Sequence, residues 1–224
     1  IGCGNGAFLK AFSETYPRYE LTGMELDDKN KEEIESINSV KKLYVGNIET
    51  LDDCFDIIVM IHSLEHIPDP VQYLVSLSKK LNQGGLLFIE VPHLEKSPFD
   101  ILIADHCTHF NLESLEDVVK RSKFKPIKVV SDYIPKELSL LCQWIGRDTN
   151  QNVIKKVNHS EKHNLNKCKL FVDANIEWLL EFANEGKKQS NYLGIFGTSI
   201  SATWLATSLG NKVTFFVDED VNRI

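Results

Sequence analysis

The sequence lacks a long hydrophobic stretch. No apolar run approaches the ~18 residues a membrane-spanning helix needs, and no signal-peptide pattern opens the chain. Cysteine is sparse: the five present are an odd number without C-x-x-C spacing, which argues against a disulfide framework and for a reducing compartment. Positive charge is short as well. Twenty-five Lys and Arg against 32 Asp and Glu leave a net charge of −7, the wrong sign for gripping a phosphate backbone. No fixed-period repeat or low-complexity block occurs. What is there is globular in character: 224 residues, 42% hydrophobic and 25% charged, enough for one large domain or one and a half average ones. A cytoplasmic protein with a small-molecule partner, no nucleic-acid backbone and no membrane is the expectation.

Strands and helices alternate. "IGCGNGAFLKAF" reads as a glycine turn running into a helix, and "YELTGMEL" (19–26) as a strand ending in an acid. "KKLYVGNIETL" (41–51) is a short strand and turn. "CFDIIVMIHS" (54–63) carries an unbroken apolar run, the mark of a parallel strand buried on both faces. "DPVQYLVSLSKKL" is an amphipathic helix with Pro70 in its first turn, ended by "NQGG". "LLFIEVP" (86–92) is a buried strand, "LESLEDVVKRS" a helix, and "KPIKVVSDY" and "ELSLLCQWIG" further strands. This pattern predicts a doubly wound, Rossmann-like α/β domain over 1–147. A polar linker and helix follow over 148–190. Residues 191–224 read as strand, glycine turn, helix and strand, a second βαβ unit. The sequence reads as a segment of a longer protein, since "IGCGNG" leaves no room for the strand that should feed its turn.

Two short strings carry chemistry. Gly2, Gly4 and Gly6 form G-x-G-x-G ahead of a helix, where glycines let the backbone approach a ligand and the helix N-terminus adds positive potential. Glu25 ends the next strand, where an acid can accept both hydroxyl protons of a ribose. Asn47 and Ile48 follow the third strand and suit a polar contact and an apolar face for an adenine. The other string is "HSLEH" (62–66), which matches the H-x-x-E-H zinc-peptidase pattern. That pattern needs a sustained helix to put both imidazoles on one face. Here it follows directly on a strand, and Pro68 comes two residues after His66, so a turn is expected and no metal is assigned.

In order, "IGCGNGAFL", "GMEL", "VGNIETL", "FDIIVMIHSLEHIPDP" and "LNQGGLLFIEVP" resemble the motifs of class I S-adenosylmethionine-dependent methyltransferases. The resemblance extends to about residue 146. It implies S-adenosyl-L-methionine as cofactor, with Gly2, Cys3, Gly4 and Gly6 along its methionine part. Glu25 would hold the ribose, Asn47 and Ile48 flank the adenine, and Ile61 and His62 touch the cofactor at a strand exit. Many relatives carry Asp where this sequence has Asn47.

Beyond "LLFIEVP" a long connection brings Asp105, His106 and His109 to the carboxyl edge of the sheet, three titratable groups in five residues. His106 is the expected base, with Asp105 or His109 orienting it; structural and metal-binding roles are the alternatives. The tail "LGIFGTSISATWLA…FFVDED" resembles the C-terminal domain of a sugar C-methyltransferase family acting on nucleotide-linked keto-sugars. That family shares the acid–histidine pair of "ADHCTHF". It commonly has a tyrosine where Ile103 stands and often Glu where Asp105 stands. O- or N-methylation of another small molecule, or a non-catalytic scaffold in polysaccharide assembly, are the rival expectations.

Overall fold

The computed structural model describes residues 1–146, 159–189 and 191–220. Much of the expected polar linker, 147–158, lies outside the described residues. The chain divides into two compact units, Ile1–Lys96 with His106–Val153 and Ser97–Asp105 with Ile154–Ile224.

In the first unit, α1 (Ala7–Thr15) leaves the glycine turn, and β1 (Leu21–Glu25) pairs in parallel with β2 (Val40–Val45). Their crossover is the short α2 (Lys31–Glu35), anchored by the fully buried Ile34. A four-stranded sheet follows in the order β3-β4-β6-β5, with β3 (Phe55–Ile61) parallel to β4 (Leu81–Pro92). Strand β6 (Glu137–Trp144) runs antiparallel to both β4 and β5 (Phe124–Val130). Its helices start where their caps dictate. The Asp69 carboxylate accepts the Gln72 N–H at 3.0 Å and opens α3 (Pro70–Leu77), with proline in the first turn. Asn111 and Ser114 cap α4 (Leu112–Arg121) reciprocally. Met60, Leu74, Leu77, Leu87, Ile89, Leu115, Leu138 and Leu140 are fully buried between these helices and the sheet.

Two strand readings need correction. "NQGG" is not a turn between helix and strand: β4 already begins at Leu81, and a register irregularity between Phe55 and Ile57 absorbs the extra residues. Strand β3 is not buried along both faces, because Ile57 is 42% exposed. The cause lies beside it. Among the described strands β3 is hydrogen-bonded to β4, and a cavity of about 920 Å3, lined in part by 21–24 of β1 and 55–59 of β3, lies beside it. The first residues link the two sheets through backbone hydrogen bonds, beside the shared core contacts of Met24 and Tyr44. The Ile1 nitrogen donates to the Val59 carbonyl at 2.8 Å, and the Gly2 and Cys3 N–H groups donate to the Met24 carbonyl at 2.9 and 3.2 Å. The glycine turn is thereby hung between the two sheets, at the carboxyl ends of β1 and β3.

The second unit contains α5 (His159–Lys188) and a βαβ element, in which β7 (Leu193–Phe196) pairs in parallel with β8 (Val213–Val217) across α6 (Ile200–Leu209). Phe99 packs edge-on against Trp178 and Trp204, and the Asn175 amide donates to the Pro98 carbonyl at 2.7 Å. No described helix is long and apolar enough to cross a membrane.

Candidate cofactor and acceptor site

The cofactor end is built from the glycine turn and the end of β1. Gly2 sits at φ +65°, and a Cβ there would lie 2.3 Å from Ser63 Oγ, so both backbone and space require glycine. Gly4, at φ +55°, is different: no heavy atom lies within 4 Å of where its Cβ would be. That face of the turn is open for a ligand. Glu25 reaches across from β1, its two oxygens accepting the N–H groups of Gly4 (2.7 Å) and Leu26 (2.9 Å). Each oxygen keeps a lone pair for a further donor, such as a ribose hydroxyl. Cys3 is half-buried, and burial raises its thiol pKa.

The adenine side is less as expected. Asn47 is exposed, and its side chain accepts the Glu49 N–H at 3.2 Å. The Ile48 side chain is only 4% exposed and belongs to the core, so it presents little apolar face to a ligand. Leu26, next to Glu25, is 76% exposed. Sequence reading passed over it. A large aliphatic residue immediately after a strand-end acid was the available signal.

Ile61 ends β3, and His62 follows at φ +47°, a left-handed conformation uncommon outside glycine. Its N–H donates to the Glu90 carbonyl at 3.0 Å, which holds it there. His62 Nδ1 lies 3.4 Å from Glu65 Oε1, and Nε2 lies 3.9 Å from Glu137 Oε1. Glu65, then Glu137 and Glu90, raise the imidazole's pKa against the opposing effect of burial. The "LEH" of the opening string is a single 3-10 turn, Leu64–His66, too short for the peptidase arrangement.

The expected acceptor residues gather on that turn. Thr108 N–H donates to the Glu65 carbonyl at 3.0 Å and Thr108 Oγ1 to the Ile67 carbonyl at 3.1 Å, strapping segment 106–109 onto residues 64–67. The His66 and His106 rings consequently meet edge to face with centroids 4.8 Å apart, and His109 lies 6.4 Å from His106. Asp105 is exposed and falls in the second unit, whereas the carboxylate that joins His106 and His66 is Glu65. Glu65, 1% exposed, went unread because a glutamate in a turn is ordinarily solvated.

A family model described as "Methyltransferase domain" matches residues 1–129. The chain belongs to the methyltransferase-domain family. Among curated proteins, the tRNA U34 carboxymethyltransferase of Campylobacter jejuni strain 81-176 is 25% identical over 147 residues, 58% of this chain and 50% of that protein. The Sulfurimonas denitrificans protein of the same name is 32% identical over 102 residues, 42% of this chain and 34% of that protein. The chain thus spans about half or less of the length of these two relatives. Among solved structures, an S-adenosylmethionine-dependent methyltransferase from Clostridium acetobutylicum aligns with TM-score 0.52 at 13% identity, over 65% of this chain and 82% of that one. Mitomycin 7-O-methyltransferase MmcR aligns with TM-score 0.57 at 14% identity, over 64% and 47%. These likenesses show the methyltransferase fold. S-adenosylmethionine is the cofactor of this methyltransferase domain, and the open face at Gly4 and the spare lone pairs of Glu25 fit it.

Proposed function

We propose that this methyltransferase domain moves the methyl group of S-adenosylmethionine to a small molecule docked at the histidine cluster of residues 62–66 and 106–109. The observation that carries the reading is Glu25 closing on the Gly4 N–H, beside a position where an added Cβ would meet nothing within 4 Å. The cofactor, when bound, supplies a methyl group on a sulfonium, already a good leaving group. The chain's task is to position the acceptor and help remove its proton. Gly2, Cys3, Gly4 and Gly6 would hold the methionine part, Glu25 the ribose, and Leu26 and Asn47 the adenine. His62, at the exit of β3, stands between the two ends.

His106 takes the acceptor's proton, with Glu65 and His66 as its neighbours and His109 at the rim. Histidine is the side chain whose protonation change suits acid–base work near neutral pH. For the acceptor we favour a carbon next to a ketone in a nucleotide-linked sugar. The "ADHCTHF" string and the parallel β7-α6-β8 element support this, by resemblance to sugar C-methyltransferases. The relatives' names offer a second acceptor class, tRNA; the net charge of −7 weighs against it, because backbone phosphates reward basic surfaces. Turnover on a panel of keto-sugar nucleotides, with tRNA as the competing acceptor, tests the choice. His106→Ala should lower turnover by roughly 10²–10⁴-fold while S-adenosylmethionine affinity stays near wild type. Retention of more than about a tenth of the activity places the base elsewhere.

A further inference from the structure

Glu65 poses a problem that methyl transfer does not solve. Its carboxylate is buried, and among the described residues neither oxygen accepts a hydrogen bond. His62 Nδ1 lies 3.4 Å from Glu65 Oε1. Burying a carboxylate without hydrogen bonds costs several kcal/mol unless a cation answers it. Two further acids, Glu90 and Glu137, bear on the same His62, so one imidazole is shared among three carboxylates.

The donor atoms already converge. One carboxylate oxygen of Glu65 and one ring nitrogen each of His66 and His106 lie within 4.8 Å of one another. Ligands on a tetrahedral zinc stand about 3.4 Å apart at bond lengths of ~2.0–2.2 Å, so closure asks for shifts of at most about 1.5 Å. The two imidazoles are only partly buried. Two imidazoles and a carboxylate are a donor set for zinc-class divalent ions rather than calcium or magnesium. His62 is not in the set, so this is not the peptidase pattern read from the sequence.

We propose that Glu65, His66 and His106 bind one divalent transition-metal ion of the zinc class. Three protein ligands leave a fourth position for water or an oxygen of the acceptor. That last step rests on the methyltransferase reading given above; binding of the ion does not. With the ion in place His106 would be a ligand instead of the base, and the ion would supply Lewis-acid polarisation of the acceptor. Loss of turnover in His106→Ala is expected in either role, so turnover alone does not separate them.

Metal titration does. Chelator-treated full chain titrated with Co²⁺ should bind one equivalent, displaced by Zn²⁺, with ligand-field absorption and no thiolate-to-cobalt band. Glu65→Gln and His106→Ala should each weaken binding by more than about 100-fold, beyond the usual effect of outer-shell changes. If Glu65→Gln fails to fold, His106→Ala, altered at a partly exposed position, still gives the answer. Absence of saturable binding, affinity unchanged in His106→Ala, or a thiolate band from the neighbouring Cys107 would each overturn the proposal. S-adenosylmethionine affinity, measured on the same samples without metal, reports separately on the methyltransferase reading. Its loss there would sink that reading and leave the metal site standing.

Discussion

The region around β4 and the region around β1 use the same kind of strand to opposite ends. Strand β4 is paired along both edges, by β3 and β6, and Leu87, Ile89 and Val91 are fully buried. Among the described strands β1 is paired with β2, and its residues 21–24 line part of the cavity of about 920 Å3. One face of the β1–β2 pair reaches the main core through Met24 and Tyr44. The other rests on a cluster of three buried residues, Leu9, Ile34 and Leu43. The cofactor end therefore adjoins the small cluster, and the acceptor end, through Leu64, the large one. A glycine turn hung between two sheets can close on a ligand, whereas a cluster that must hold histidines at fixed distances needs a stiff floor.

The largest test of this contrast is the core itself. Ile89→Ala should cost about 2–5 kcal/mol, because a fully packed site collapses little around the lost atoms. Leu43→Ala should fall near the low end of that range, since the neighbouring region can relax. Urea midpoints measure both, and amide exchange in β1 and β2 should be faster than in β4 in the unmutated chain. Equal costs and equal exchange would dissolve the distinction between the two regions.

A smaller effect is expected at the boundary with the cofactor. Glu25→Ala removes an acceptor for the ribose and also frees the Gly4 N–H. S-adenosylmethionine affinity should fall about ten- to hundredfold, roughly 1.5–3 kcal/mol for a hydrogen bond to a charged group. The main unfolding transition should hardly move, because Glu25 lies outside the main core. Calorimetric titration reads the first and thermal unfolding the second. An unaltered affinity would remove Glu25 from the site.

The contrast also explains what was legible in the sequence. Strands β1 to β6 and the capped helices α3 and α4 follow from local signals: apolar runs, Pro70 after Asp69, and Asn111 ahead of an amphipathic run. The glycine turn and Glu25 were legible for the same reason, since φ and spacing are written locally. Ile57 misled because its exposure depends on what lies along the far edge of β3, which no local pattern records. The inward turn of Ile48 was not legible, because a residue after a strand can turn either way. Glu65 was invisible for a third reason. Its setting depends on a segment more than forty residues away, which Thr108 ties to the turn.

The smallest effect separates the regions by thiol chemistry. Cys142, in β6, is fully buried and its pKa is pushed up to about 12, whereas Cys3, in the glycine turn, is half-buried with a thiol raised by burial. Alkylation proceeds through the thiolate, so near pH 8 exposed Cys54 and Cys107 should react first, Cys3 more slowly, and Cys142 only on unfolding. Adding S-adenosylmethionine at ten times its Kd should then slow Cys3 by about tenfold, because only the unliganded fraction reacts. Cys142 should not respond, since its protection comes from packing that the cofactor does not touch. Peptide mass spectrometry at timed intervals reads each site separately. Slowing at Cys3 alone would place the cofactor against the turn. Equal slowing at Cys142 would mean that the ligand tightens the whole unit, and the two regions would have to be treated as one.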